Sequence, residues 1–172
     1  MVKPAILSTG LLASPIHSLY ITALNLTAIS ASNGRSTLEC WQIGPLKSVS
    51  TIGSPASPFY FLGDFANVTY NVFPPHTNDE LHTAPAFQLV FFASGTTRVT
   101  LPDRSDEVTI QGGKKGLIIA ADTADVSMQG HRTYVSTEEN TVVLQLPIKD
   151  ARKFKHTVLH SGGCHESEMS GL

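Results

Sequence analysis

Short apolar runs, each cut off by a turn signal, limit this chain's fold more than any other feature of its sequence. Segments 36–43, 57–62, 68–73, 86–93, 96–101, 107–110, 116–121, 132–136 and 141–148 read as strands, and 18–29 reads as the first strand in the alternative to a signal peptide at the N-terminus. The last alternates well, with Val142, Leu144, Leu146 and Ile148 on one face, as a half-buried strand requires. In 36–43, Trp41 and Ile43 share one face and Leu38 and Cys40 the other, so both faces are expected to be covered. Ser94-Gly95, Pro102-Asp103, Gly112-Gly113 and Gly130 supply the turns. Only 151–159 reads as a helix. Many short strands at even spacing predict an all-β sandwich or barrel, and closing the sheet removes exposed edges.

Length and composition fit one domain. The chain has 172 residues, 41% of them hydrophobic and 15% charged, enough apolar surface to offset the entropy of ordering. No internal repeat or low-complexity linker divides it. Residues 1–18 read as a signal-like N-terminal extension, 19–148 as the barrel and 149–172 as a tail packing on it. A formal charge of −2 with scattered cations excludes nucleic acid as an expected partner. Lys149, Arg152, Lys153 and Lys155 group in the tail, where a solvated face is expected. The apolar stretch 5–16 is too short to span a membrane. With sequons at Asn25 and Asn67 it fits export, the alternative being a cytoplasmic protein. Cys40 and Cys164 have no zinc or redox spacing. They form either one disulfide or a buried thiol and a tail cysteine.

Chemistry-bearing residues concentrate in two stretches. The first, PPHTNDELHTAPAFQLVFFASG (74–95), carries His76, Asp79 and Glu80 in a polar loop, then His82 and Gln88. On a regular strand His82, Ala84, Ala86 and Gln88 share a face, with the alanines leaving room between the polar groups. Pro85 requires an edge or a bulge. The second, GGKKGLIIAADTADVSMQGHRTY (112–134), is a hairpin turn, an apolar strand, a polar loop and His131 at the start of the next strand. Asp122 is expected to fix that loop through backbone N–H groups.

Two histidine-bearing strand blocks separated by a glycine turn resemble the two motifs of the cupin superfamily. The likeness is closest to a fungal group of small, often secreted cupins. It rests on LECW (38–41), LHTAPAFQ (81–88), GTTRVTLP (95–102), GGKKGLIIAADTADVSMQGH (112–131) and VLHSGGC (158–164). It implies a cupin-type jelly-roll β-barrel with a site inside. Metal-binding cupins carry two histidines one residue apart, a following glutamate and a third histidine. His82 matches the first histidine, Gln88 stands at the glutamate and His131 matches the last, whereas Ala84 replaces the second histidine.

Two functional readings follow. His82, Gln88 and His131 are candidate ligands of one divalent metal ion, with Zn, Fe, Mn, Ni and Cu undistinguished and His76, Glu80 or Asp122 completing the set. Without metal, His82 and His131 are candidate acid/base groups and Gln88 orients a carbonyl or hydroxyl. His76, Phe92 and Trp41 are candidate ligand contacts. The expected function is a cyclase, isomerase or lyase of natural-product type acting on a small molecule in the barrel. The alternatives are a secreted ligand-binding or cell-surface cupin and a mononuclear metal-dependent oxygenase. Dimerisation through sheet faces is compatible with each.

Overall fold

The chain's first described turn is written in two residues. Asn33 and Gly34 both have positive φ (52° and 76°), the conformation of a two-residue hairpin turn that Asn-Gly favours. They join β1 (Leu24–Ser32) to β2 (Arg35–Ile43) in continuous antiparallel register from Ser32↔Arg35 to Leu24↔Ile43. The sequence reading did not single out this turn. The computed structural model describes residues 23–45, 47–49 and 57–169. The N-terminal extension, including the apolar stretch 5–16, lies outside the described residues.

The remaining described strands follow in chain order. They are β3 (Lys47–Val49), β4 (Ser57–Phe59), β5 (Thr69–Phe73), β6 (Gln88–Phe92), β7 (Thr96–Thr100), β8 (Glu107–Gln111), β9 (Leu117–Ala120), β10 (Arg132–Val135), β11 (Thr141–Pro147) and β12 (Thr157–Ser161). A seven-stranded sheet has the order β12-β2-β1-β9-β6-β11-β5, a three-stranded sheet the order β10-β7-β8, and β3 pairs with β4. The fold is all-β, as the turn spacing predicts. The hydrogen-bonded ladder is not continuous around the core among the described residues. No described helix is long and apolar enough to cross a membrane.

Two apolar layers explain the strands that lack alternation. Between the sheets lie Ile29, Leu38, Val90, Phe92, Val99, Ile110, Ile118 and Val143. On the outer face of the large sheet, Leu26, Ala28, Trp41, Ile43, Leu89 and Ile119 are buried under Tyr60, Leu62, Phe65, Phe87 and Phe154. Both faces of β1, β2 and β9 are therefore covered, as expected for 36–43. Each large side chain buried this way contributes roughly 1.5–3 kcal/mol. The apolar stripe of β11 turns away from the space between the sheets. Leu146 and Ile148 belong to the outer layer, and the cavity receives Val143 and Gln145 instead.

The expected helix at 151–159 is also corrected. Only a 3-10 turn, Ala151–Lys153, forms before β12 pairs with the open edge of β2. The reason is periodicity. Phe154 packs on Phe87 and His156 stacks on Trp41 with ring centroids 3.5 Å apart, an i, i+2 spacing that extended chain satisfies and a helix does not. The tail is thus part of the sheet. Cys164 lies beyond β12 and is bonded to Cys40 as a disulfide, resolving that alternative.

Candidate functional site

A cavity of about 350 Å³ lies between the sheets. Phe92 and Val90 of β6, Ile118 and Ala120 of β9 and Val143 of β11 form one wall; Val99 of β7 and Val135 of β10 face them. That is the size and character of a small-molecule site. Exposed His82 and Pro85, with half-buried Asp79 and Thr83, mark its mouth.

The backbone that carries His82 is fixed by pairing. Residues 77–82 run antiparallel beside β10: Val135 N–H donates to Thr77 O, Asp79 N–H to Thr133 O, and His82 and His131 exchange both bonds at 2.9 Å. Gly130 makes this approach feasible. Its φ is +72°, and a Cβ there would run into the His82 carbonyl. The rings of His82 and His131 consequently sit 4.6 Å apart, centroid to centroid, at the cavity.

Both imidazoles have a defined tautomer. His82 Nδ1 lies 2.8 Å from the Glu80 carbonyl oxygen, which only accepts, so Nδ1 carries the proton. Inside, Ser36 Oγ–H donates to Asp122 Oδ2 at 2.7 Å. With that hydrogen committed, Ser127 donates to Ser36 (2.8 Å) and itself accepts from Gly130 N–H (3.0 Å). Every donor in the chain points toward Asp122 Oδ2, which also accepts from His131 Nδ1 at 2.8 Å. The Nε2 atoms of both rings are left with no hydrogen-bond partner among the described residues. Asp122 is fully buried and its Oδ1 has no partner, so this carboxylate is held by very few groups. An imidazole oriented by a buried carboxylate is the arrangement of a general base.

Asp122 is therefore corrected from a loop-fixing residue to the partner of His131. Its backbone carbonyl does serve the loop, accepting from Ala84 N–H at 3.3 Å. Nine residues and a turn separate Asp122 from His131, and Ser36 is 86 residues away, so no local periodicity relates the three.

Gln88 and Phe92, 2% and 5% exposed, line the cavity as expected. The route differs: residues 85–87 are bent, β6 begins at Gln88, and Ala84 lines the cavity while Ala86 does not. Gln88's amide has no hydrogen-bond partner among the described residues. Gln145, which the sequence did not indicate, joins it from β11. Two expected ligand contacts lie elsewhere. His76 is exposed and bonds Tyr134 Oη and Glu138. Trp41 faces the outer layer, its Nε1–H donating to Glu39, because its parity on β2 is opposite to that of Leu38.

The metal reading meets a donor set of limited fit. His82, His131 and Gln88 offer two imidazoles and an amide, all neutral. Among the described residues no third His, Cys, Asp or Glu ligand atom clusters with those of both histidines. The group that does cluster is Cys40, His160 and Glu168, outside the cavity, and its sulfur is committed to the disulfide.

Fold and site together define an all-β protein with a ligand-sized cavity and an oriented, uncommitted imidazole at its edge. No protein-family model matches this chain, and no curated protein matches it.

Proposed function

We propose that the facing sheets are a cupin-type jelly roll and that the protein acts on one small organic molecule inside it, as a natural-product-type isomerase, cyclase or lyase. The observation that carries this reading is the Asp122–His131 pair. A buried carboxylate accepts Nδ1–H while the ring lines the cavity, leaving Nε2 as a base. His82, its Nε2 also open and its ring 4.6 Å from that of His131, is the second proton carrier. Two imidazoles side by side suit chemistry in which one site gives up a proton and another takes it back.

The oxygenase alternative needs a metal, and the neutral three-donor set above is a weak holder for one, so no step is assigned to it. The secreted binding protein shares the cavity but needs no oriented base, and the Asp122 chain favours the enzyme over it.

The test is comparative metabolite profiling of the full chain, purified without a His tag, with extracts of its source. Wild type should convert one metabolite into a product of equal mass, or into one lighter by water. His131→Asn should not, and His82→Ala should be strongly impaired, with both variants folded. Full turnover by both variants removes the assignment. Stoichiometric metal in the purified protein, with turnover that chelation abolishes, replaces it by the metal reading.

A further inference from the structure

The cavity's polar groups specify more than its size. Among the described residues its lining contains no Lys or Arg, and its one carboxylate, Asp79, sits at the mouth. With His82 and His131 the only lining side chains able to carry positive charge, an anionic ligand would depend on protonating one of them for a countercharge. The walls around Phe73, Phe92, Ile118 and Val143 accept hydrocarbon. Against that background two amides stand out. Gln145 opposes Val90 across the β11–β6 ladder, which puts it diagonally beside Gln88 on the same sheet face. Gln145 Oε1 accepts from Thr69 Oγ1 (3.2 Å) and Asn71 Nδ2 (3.4 Å), so its NH₂ is the end left to donate. Gln88 is 2% exposed and lines the cavity, and its amide, with no hydrogen-bond partner among the described residues, is open to a ligand there.

We infer that the substrate is an uncharged, largely apolar carbonyl compound, its oxygen taken by the Gln88 and Gln145 amides and its α-carbon turned toward His131. This rests on the acid/base reading above. His131 Nε2 removes the α-proton, the C–H electrons become a C=C bond, and the carbonyl π electrons move to the oxygen that the amide N–H groups hold. The imidazolium returns the proton at the same or a conjugated carbon, so atoms and electrons balance without a co-reactant. The amides thereby act where charge develops.

A pair of probes separates this inference from the reading beneath it. The ketone 1-tetralone and the similarly sized carboxylate 1-naphthoate are offered to the full-length protein in D₂O. Binding is followed by saturation-transfer NMR, and exchange of the ketone's α-hydrogens by mass. Wild type should bind the ketone at least tenfold more tightly than the carboxylate and speed its exchange. Gln88→Leu and Gln88→Met, each checked by thermal melting, should weaken ketone binding about tenfold, whereas His131→Asn should keep binding and lose exchange. Equal binding of the carboxylate, undetectable binding of the ketone, or undiminished binding by a folded Gln88 variant overturns the carbonyl inference. Tight, Gln88-dependent ketone binding with no exchange in wild type leaves that inference standing and removes His131 as the base.

Discussion

Opening the Cys40–Cys164 disulfide should cost this protein about 5 kcal/mol, the chain-entropy value for a loop as long as the 124-residue separation of the two cysteines. The native state itself has little reason to change. Cys40 is fully buried, and the tail keeps other anchors: β12 paired with β2, Gly162 N–H on Leu38 O at 2.7 Å, and Cys164 N–H on Thr27 Oγ1 at 3.0 Å. The effect should therefore act through the unfolded chain, which gains freedom when the loop opens. A double Cys40→Ala, Cys164→Ala variant avoids burying two new hydroxyls and isolates that term. Urea unfolding of the variant and of phosphine-reduced wild type should show the same drop in stability, with a larger m-value as the freed chain exposes more surface. Hydrogen exchange should find Thr157–Ser161 still protected. Because domains of this kind are stable by about 5–15 kcal/mol, the variant should be marginal at 37 °C. A loss under about 1 kcal/mol with unchanged m refutes the loop argument; loss of protection in β12 shows instead that the bond holds the native tail in place.

Further outcomes follow from the site and the tail. Asp122→Ala orphans His131 Nδ1–H and the Ser36 hydroxyl, and should destabilise by about 3 kcal/mol. ¹⁵N NMR should then show His131 losing its single Nδ1–H tautomer, and an unchanged imidazole spectrum would contradict the donor chain. Gly130→Ala sets a Cβ against the His82 carbonyl and should cost about 3 kcal/mol or more by thermal melting, whereas Gly113→Ala, equally positive in φ (+83°) but with open space around it, should cost about 1. Similar costs at the two positions would mean that the His82–His131 approach is not tight. The tail should also respond to pH. Hydrogen bonds to the Ser161 carbonyl and Glu168 raise the His160 pKa, and those from His165 N–H and His160 lower that of Glu168. The histidine's contribution is full below its ordinary 6.5 and lost as pH rises through its raised value; the glutamate's is full above its ordinary 4.5 and lost as pH falls through its lowered value. Wild type should thus exceed Glu168→Gln in melting temperature most between about pH 4.5 and 6.5, less at pH 8.5, and a gap constant with pH would exclude this pairing.

Local rules carried most of the architecture. Period-2 patterning and glycine turns place strands at 69–73, 88–92, 96–100, 117–120, 132–135 and 141–147 within the expected segments, and the strand at 107–111 runs one residue past its own. The same reading put His82, Gln88, Phe92 and His131 around one interior, and they do line one cavity. For Gln88 that agreement came by a different path, since the bend at 85–87 breaks the assumed strand. Periodicity says which residues share a face but not what lies beyond it. The apolar stripe of β11 is legible as one face, but only the structure shows that the outer layer, built from Phe65, Phe87 and Phe154, is what its Leu146 and Ile148 pack with.

What the sequence by itself determined, then, is an all-β chain with two histidines and a glutamine directed to a shared interior, because alternation and turn chemistry act over a few residues. Only the tertiary structure decided that Asp122, fed by Ser36 and Ser127, stands behind His131, that Gln145 joins Gln88, and that Cys40 meets Cys164. Those contacts span 86, 91 and 124 residues or cross between neighbouring strands, and they depend on sheet order and register, which no short-range pattern encodes.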